Sequence, residues 1–364
     1  MSVIHCYKEA LKSRGFDSDS AQLRAVVRLQ AFQNDLMRFN AARSNLLKKI
    51  LIRPAVPRGV YLWGGVGRGK SFLMDCFYQA VPVTRKVRLH FHEFMRGVHS
   101  ELDELRHEAD PLDEVARRVA RRYRLICFDE FHVSDIADAM ILYRLLQALF
   151  ALGVTFIFTS NYHPDELYPN GLHRDRIYPA IALMKNRLDV LNVDGGADYR
   201  RLGLAGLSTY LMPLDDASDA SLKSAFERLA EVTDEPAVLQ IESRRIPAVR
   251  RAGGLIWFDF PTLCGGPRSQ NDYLEIAEQF HTVILSGVPM MGAGMASEAR
   301  RFTWLIDVLY DHKIKLLISA DVAADALYTD GAMAHEFART VSRIVEMQSQ
   351  AYMEAPRRLG GAWK

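Results

Sequence analysis

Cysteine is scarce in this chain of 364 residues: Cys6, Cys76, Cys127 and Cys264 lie far apart, with no C-x-x-C pair. That excludes a disulfide framework and a cysteine zinc site as organising devices, and reduced thiols predict a cytoplasmic protein. Excess charge of either sign is lacking too. Forty-six basic against 44 acidic side chains leave +2, so the total charge gives no push toward nucleic acid or acidic lipid. No run approaches the roughly 20 apolar residues of a membrane span; the most apolar stretch, Leu145 to Phe158, is shorter and holds Gln147 and Gly153. Lys8, Glu9 and Lys12 stand where a signal peptide keeps its apolar region, and the N-terminus lacks the Arg- and Ser-rich, acid-poor character of a transit peptide. Short repeats and low-complexity tracts are also missing. What is present, 49% hydrophobic and 25% charged residues, is the composition of a folded protein, long enough for two or three domains.

The chain reads as four regions. Residues 1–58 form a helical N-terminal segment, in which Leu23, Val26, Val27, Leu29, Phe32, Leu36 and Phe39 follow a helical stripe until Pro54 and Pro57 stop it. From Gly59 short apolar runs alternate with helical stretches: GVYLWG, VRLHFH, RLICFDE, VTFIFTSN and LDVLNVD. That alternation predicts an α/β fold, a parallel sheet flanked by helices, over 59–201. Residues 202–240 read as a helical lid, with an amphipathic helix from Asp215 to Glu231. Residues 241–364 read as a second α/β region, with apolar runs GLIWFDF, TVILSGV and IKLLISA and a final helix from Met333 to Met353. Gly195-Gly196 and the loop Gly265 to Ser269 are the expected seams. Between the third and fourth strands, Ser134 and Asp135 are placed to start a helix that Gly153 ends.

The strongest chemical signal is Gly64-Gly65-Val66-Gly67-Arg68-Gly69-Lys70-Ser71, a G-x-x-x-x-G-K-[ST] phosphate loop set between a strand and an apolar helix that opens with Phe72. Its glycines let backbone N–H groups converge on phosphate oxygens at a helix N-terminus. Lys70 is placed for the β- and γ-phosphates of ATP, and Ser71 for Mg²⁺. Leu125 to Glu130 is the second signal: an apolar strand delivers Asp129 and Glu130 at its C-terminal end, beside the phosphate loop of a neighbouring strand. Asp129 suits the metal shell, and Glu130 suits orientation or deprotonation of a water, which favours hydrolysis over phosphoryl transfer to an acceptor. Asn161, ending the next strand, is placed to sense the γ-phosphate. Arg174 and Arg176 open a helix, and one of them, unresolved by spacing, is a candidate arginine finger acting across a subunit interface. His90 and His92 share a strand face without a third ligand, which points to a structural pair and not a metal site. Arg300 and Arg301 suit either a nucleotide sensor or a solvated helix start.

These motifs together resemble the ZapE/Afg-one-like family of AAA+ ATPases. GVYLWGGVGRGKSFLMDCFY, RLHFHEFMRGVHSEL, LICFDEFHVSDIADAMIL and FTSNYHPDELYPNGLHRDRIYPAI carry the likeness, which continues through RRFTWLIDVLYDHKIKLLISA and FARTVSRIVEMQSQAY to span nearly the whole chain. Departures are Ser71 for the commoner threonine, His132 and His173 for glutamine, and Tyr162 for arginine. The resemblance implies a Mg²⁺-dependent ATPase of the P-loop NTPase (AAA+) fold, acting on protein partners as a homo-oligomer, with Gln22 near the nucleotide base. In bacteria it implies FtsZ or another division-ring protein as partner, and in mitochondria quality control of membrane-complex subunits; the missing transit peptide favours the bacterial branch. A nucleic-acid-linked helicase loader and a small-molecule kinase are the rival readings. Balanced charge counts against the loader, and the Asp129-Glu130 pair counts against the kinase.

Overall fold

The computed structural model describes residues 1–14, 19–42, 55–65, 68–133, 136–168, 173–194, 207–241, 244–331 and 333–358. Val66 and Gly67 of the phosphate loop, the expected cap Ser134-Asp135 and the seam Gly195-Gly196 lie outside them. The chain divides into two compact units, Met1–Ala197 and Asp198–Lys364.

In the first unit, helices α1 (Val3–Arg14) and α2 (Ser20–Ala42) precede strand β1 (Gly59–Trp63). Then follow α3 (Lys70–Ala80), β2 (Lys86–His90), α4 (Phe91–Glu104), α5 (Pro111–Arg122), β3 (Leu125–Asp129), α6 (Ile136–Ala151), β4 (Thr155–Ser160), α7 (Tyr178–Arg187) and β5 (Leu188–Asn192). The five strands form one parallel sheet in the order β2-β3-β4-β1-β5. The Asp129 strand is therefore not the immediate neighbour of the phosphate-loop strand; β4 lies between them. Alternation along β3 explains its unbroken apolar run. Leu125 and Cys127 face a core shared with α1, α2 and α3, while Ile126 and Phe128 face one shared with α4 to α7. A strand covered on both faces has no polar side to show. β2 ends earlier than the sequence suggests: His90 closes the strand and Phe91 opens α4, so His90 and His92 stand at a strand–helix corner and not along one strand face.

The second unit contains β6 (Tyr210–Leu211), α8 (Asp216–Leu229), the antiparallel pair β7 (Val238–Ile241) and β8 (Arg244–Pro247), β9 (Arg250–Ala252) and β10 (Leu255–Asp259). It continues with α9 (Gln270–Gln279), β11 (Thr282–Val288), α10 (Ala296–Asp311), β12 (Lys315–Ala320), α11 (Ala334–Met347) and α12 (Gln350–Glu354). Its main sheet runs β6-β12-β11-β10-β9, parallel except for β9. Ile256, Phe258, Val283 and Leu285 pack toward α9, α10 and α11; Leu255, Trp257, Ile284 and Leu317 pack against Leu222, Ala225, Phe226 and Leu229 of α8. Residues 202–240, read from sequence as a lid, thus contribute β6, α8 and β7 to this unit. The final helix is broken: Ser349 accepts from the N–H of Tyr352 at 3.2 Å and starts α12 afresh. Among the described residues no helix is long and apolar enough to cross a membrane.

Candidate active site

The loop after β1 and the N-terminus of α3 form the base of the site. Gly69 caps α3 at φ 75, a left-handed conformation that side chains resist, and a Cβ there would stand 2.7 Å from Gln22 Nε2. Glycine is thus required twice over, by torsion and by space. Gln22 is buried; its Nε2 donates to the Arg68 carbonyl at 3.0 Å and its Oε1 accepts from the Tyr7 hydroxyl at 3.0 Å. Both ends of its amide therefore brace the phosphate loop from α1 and α2. On the other side Asp194, just beyond β5, accepts from the Gly65 N–H at 2.9 Å and from Arg68 Nε at 3.0 Å.

Lys70 points back over the loop. Its ammonium donates to the carbonyls of Gly64 and Gly65 at 2.8 and 2.7 Å and to Asn161 Oδ1 at 3.0 Å. Next to it the Ser71 hydroxyl donates to Asp129 Oδ1 at 2.8 Å, and Thr159 Oγ1, from the intervening strand, donates to the same oxygen at 2.6 Å. The other Asp129 oxygen takes a guanidinium N–H from Arg88 of β2, and Arg88 reaches Asp75 of α3 at 3.1 Å. Asp75, Arg88 and Asp129 form a buried triad with side-chain exposures of 10%, 9% and 3%. Burial pushes the Asp129 carboxyl up, but the charge and hydrogen bonds of Arg88, with His90 and Thr159, outweigh it and hold the group well below the usual carboxylate range.

Glu130 follows at φ 49, one of the few non-glycine residues in the left-handed region among those described. Its N–H donates to Thr159 Oγ1 at 3.1 Å, and His132 Nδ1 lies 2.9 Å from its carbonyl oxygen. The rings of His90 and His92 are tilted at 33° with centroids 5.7 Å apart, and burial together with His90 pushes His92 down to about 3. Ser71 thus meets Asp129 and Lys70 meets Asn161, two hydrogen-bonded pairs at the start of α3, and Glu130 follows Asp129 in the chain. Their oxygen donors, together with an uncapped helix N-terminus, fit Mg²⁺ and a phosphate chain.

The arginines are placed differently. Arg174 and Arg176 sit on a short 3₁₀ helix, Arg174–Ile177. Arg174 donates to the Asp165 carbonyl at 2.7 Å and lies 5.6 Å from the Tyr178 ring centroid, whereas Arg176 is 65% exposed, 3.8 Å from Asp175. Arg300 and Arg301 lie in the second unit, where Arg301 donates to the Cys264 carbonyl at 2.6 Å and pairs with Glu298 at 3.3 Å. Phe72 is buried in the core of the first unit, its ring 5.9 Å from that of Tyr7.

Sequence reasoning missed Arg88, Asp75, Thr159, Tyr7 and Asp194. Arg88 did leave a signal: an arginine between Val87 and Leu89 in a strand is costly unless it is paired.

A family model for AFG1-like ATPases matches residues 1–356. The chain belongs to the AFG1-like ATPase family. It is 42% identical over 360 residues, 96% of each chain, to the protein of Escherichia coli (strain K12) named cell division protein ZapE. It is 38% identical over 349 residues to lactation elevated protein 1 homolog B of Danio rerio, covering 82% of this chain and 69% of that one. Among solved structures, one described as a DNA replication initiation factor overlaps 59% of this chain and 61% of its own at TM-score 0.37 and 12% identity. An overlap that slight carries no argument about function.

Proposed function

We propose that this AFG1-like ATPase hydrolyses ATP with Mg²⁺ and uses the energy on a protein partner. The observation that carries the reading is the meeting of the Ser71 hydroxyl and the Asp129 carboxylate at 2.8 Å, beside the Lys70 ammonium, at an α-helix N-terminus. Ser71 and Asp129 would hold Mg²⁺, which when bound neutralises phosphate charge. Lys70, now held by neutral loop carbonyls, would turn to the phosphate oxygens. Glu130 would orient and deprotonate the attacking water, Asn161 would read the terminal phosphate, and Gln22 and Asp194 would keep the loop in shape. Arg176, the more exposed of the two arginines, suits reaching a neighbouring subunit better than Arg174, which is held by its own chain.

Phosphate release tests the chemistry. The wild-type chain should turn over ATP, Glu130→Gln should bind without turnover, and Lys70→Ala should not bind. Turnover by Glu130→Gln at the wild-type rate would remove its role. Mixing Arg176→Ala with Lys70→Ala subunits should restore activity if the finger acts in trans. For the partner, the name of the Escherichia coli relative, cell division protein ZapE, supports a role in cell division, and FtsZ of the division ring is the partner we propose. Co-sedimentation with assembled FtsZ that depends on ATP is the expected result, and none with or without nucleotide would set that partner aside.

A further inference from the structure

Four strands of the second unit repeat four of the first, while β5 on one side and β7, β8 and β9 on the other have no counterpart. β6, β12, β11 and β10 lie in the order and parallel sense of β1, β4, β3 and β2. The registers correspond as well. In the first unit Cys127 pairs with Arg88 on one side and Ile157 on the other; in the second, Ile284 pairs with Trp257 and Leu317. Phe158 pairs with Tyr61, as Ile318 pairs with Tyr210.

Shared irregularities exceed what a parallel sheet demands. The Tyr61 hydroxyl donates to the Tyr162 carbonyl at 3.0 Å, and the Tyr210 hydroxyl donates to the Val322 carbonyl at 2.7 Å. Each third strand has a left-handed residue near its C-terminal end, Glu130 at φ 49 just after β3 and Gly287 at φ 74 within β11, where the register with β12 shifts. The N–H of each donates to a hydroxyl on the next strand, Thr159 at 3.1 Å and Ser319 at 3.0 Å. Each fourth strand leads into a 3₁₀ turn, Pro164–Glu166 and Ala324–Ala326, followed by a buried Leu-Tyr pair, Leu167-Tyr168 and Leu327-Tyr328.

The differences fall where the first unit carries its charged groups. After β6 comes Met212-Pro213-Leu214-Asp215, without glycine or lysine, and with Met212 and Leu214 exposed. Asp215 caps α8 itself, accepting from the Ser218 N–H at 2.7 Å, whereas Gly69 gives α3 no side-chain cap. A carboxylate there occupies a donor that phosphate would need and repels the anion as well. Ser286 and Gly287 stand in place of Asp129 and Glu130. Trp257 replaces Arg88, and its indole N–H donates to Ser286 Oγ at 2.9 Å, where the guanidinium of Arg88 donates to Asp129. Asp321 follows β12 as Asn161 follows β4, adding negative charge.

We infer that the second unit is another copy of the NTPase framework that has lost phosphate and metal chemistry, so the chain carries two frameworks and one nucleotide. The inference rests on reading Lys70, Ser71 and Asp129 as the working site. Titration of the full chain with a fluorescent ATP analogue and Mg²⁺ should show one site per chain, and Lys70→Ala should weaken it at least ~100-fold with no residual site. A second saturable site in the wild type, or one surviving in Lys70→Ala, overturns the inference. Photo-crosslinking of the wild type with azido-ATP avoids dependence on the variant's folding. Label should appear only on peptides of the first unit, and label on the segment from Tyr210 to Leu229 overturns the inference. A chain that took up no nucleotide would remove the reading of the first unit and leave the empty second framework standing.

Discussion

At the carboxyl ends of its strands the first unit gathers Lys70, Ser71, Asp129, Glu130 and Asn161, while the second ends the corresponding strands in Asp215, Ser286, Gly287 and Asp321. The comparison separates what the framework needs from what the chemistry needs. The tyrosine-to-carbonyl bond and the hydroxyl that receives the corner N–H occur in both units, so they belong to the framework. The corner residue is more telling. Its left-handed conformation is shared, and the second unit meets it with glycine, the residue that adopts it without strain. The first unit places glutamate there at a cost of about 1 kcal/mol or more. A strained acidic residue, kept where glycine serves the fold, argues that the side chain itself is used.

Corner substitutions should break the comparison most sharply. Glu130→Gln should lower ATP turnover by about 10²–10⁴-fold with binding retained, whereas Gly287→Ala should leave turnover unchanged and cost only stability. Equal losses of turnover from both, by phosphate release, would deny that the two corners differ in role. Next is the pair Arg88 and Trp257. Arg88→Met leaves Asp75 and Asp129 buried without their cation and should destabilise the chain by about 3–5 kcal/mol. Trp257→Phe removes one indole hydrogen bond and should cost about 1 kcal/mol. Urea denaturation of both variants measures the gap, and similar midpoints would mean the triad contributes little.

A pH series comes third. Folded His92 resists protonation down to about 3, against an ordinary value of 6.5. The unfolded chain therefore binds more protons in that window, and stability falls as pH drops from 6.5 toward 3 and is fully present above it. His92→Gln should flatten this acid loss by up to about 1.4 kcal/mol per pH unit; an unchanged slope would show that His92 titrates normally. The second framework has Pro261, not histidine, just beyond the same corner, so its local unfolding, read by hydrogen exchange, should lack this slope. The smallest effect serves as the control. Tyr61→Phe and Tyr210→Phe each remove one hydroxyl-to-carbonyl bond and should each cost about 1 kcal/mol; a large inequality would weaken the residue-level match.

The site was partly readable in advance because the phosphate loop and the Asp129-Glu130 strand end are contiguous. A contiguous motif states its own geometry. Arg88 and Asp75 come together from a strand and a helix, and Asp194 reaches the loop from the end of β5, which lies beside β1 in the sheet but far from it in the chain, so no local pattern joins them. The interleaving of β4 between the loop strand and the Asp129 strand was equally hidden, since a fully buried strand accepts Val, Ile, Leu or Phe with little preference for position. The same tolerance concealed the repeat. Burial preserved its strands and registers while nearly every side-chain identity changed, and no short-period similarity survived to be read.

Local order alone determined that this chain makes alternating strands and helices and carries one phosphate loop, because helical stripes, apolar strands and glycine turns act within a few residues of themselves. Which strand lies beside which, that Arg88 shields Asp129, and that the second sheet copies the first were decided only by folding. Those facts depend on pairings between residues far apart in the chain, made in a core that selects for volume and hydrogen bonds and is largely indifferent to sequence.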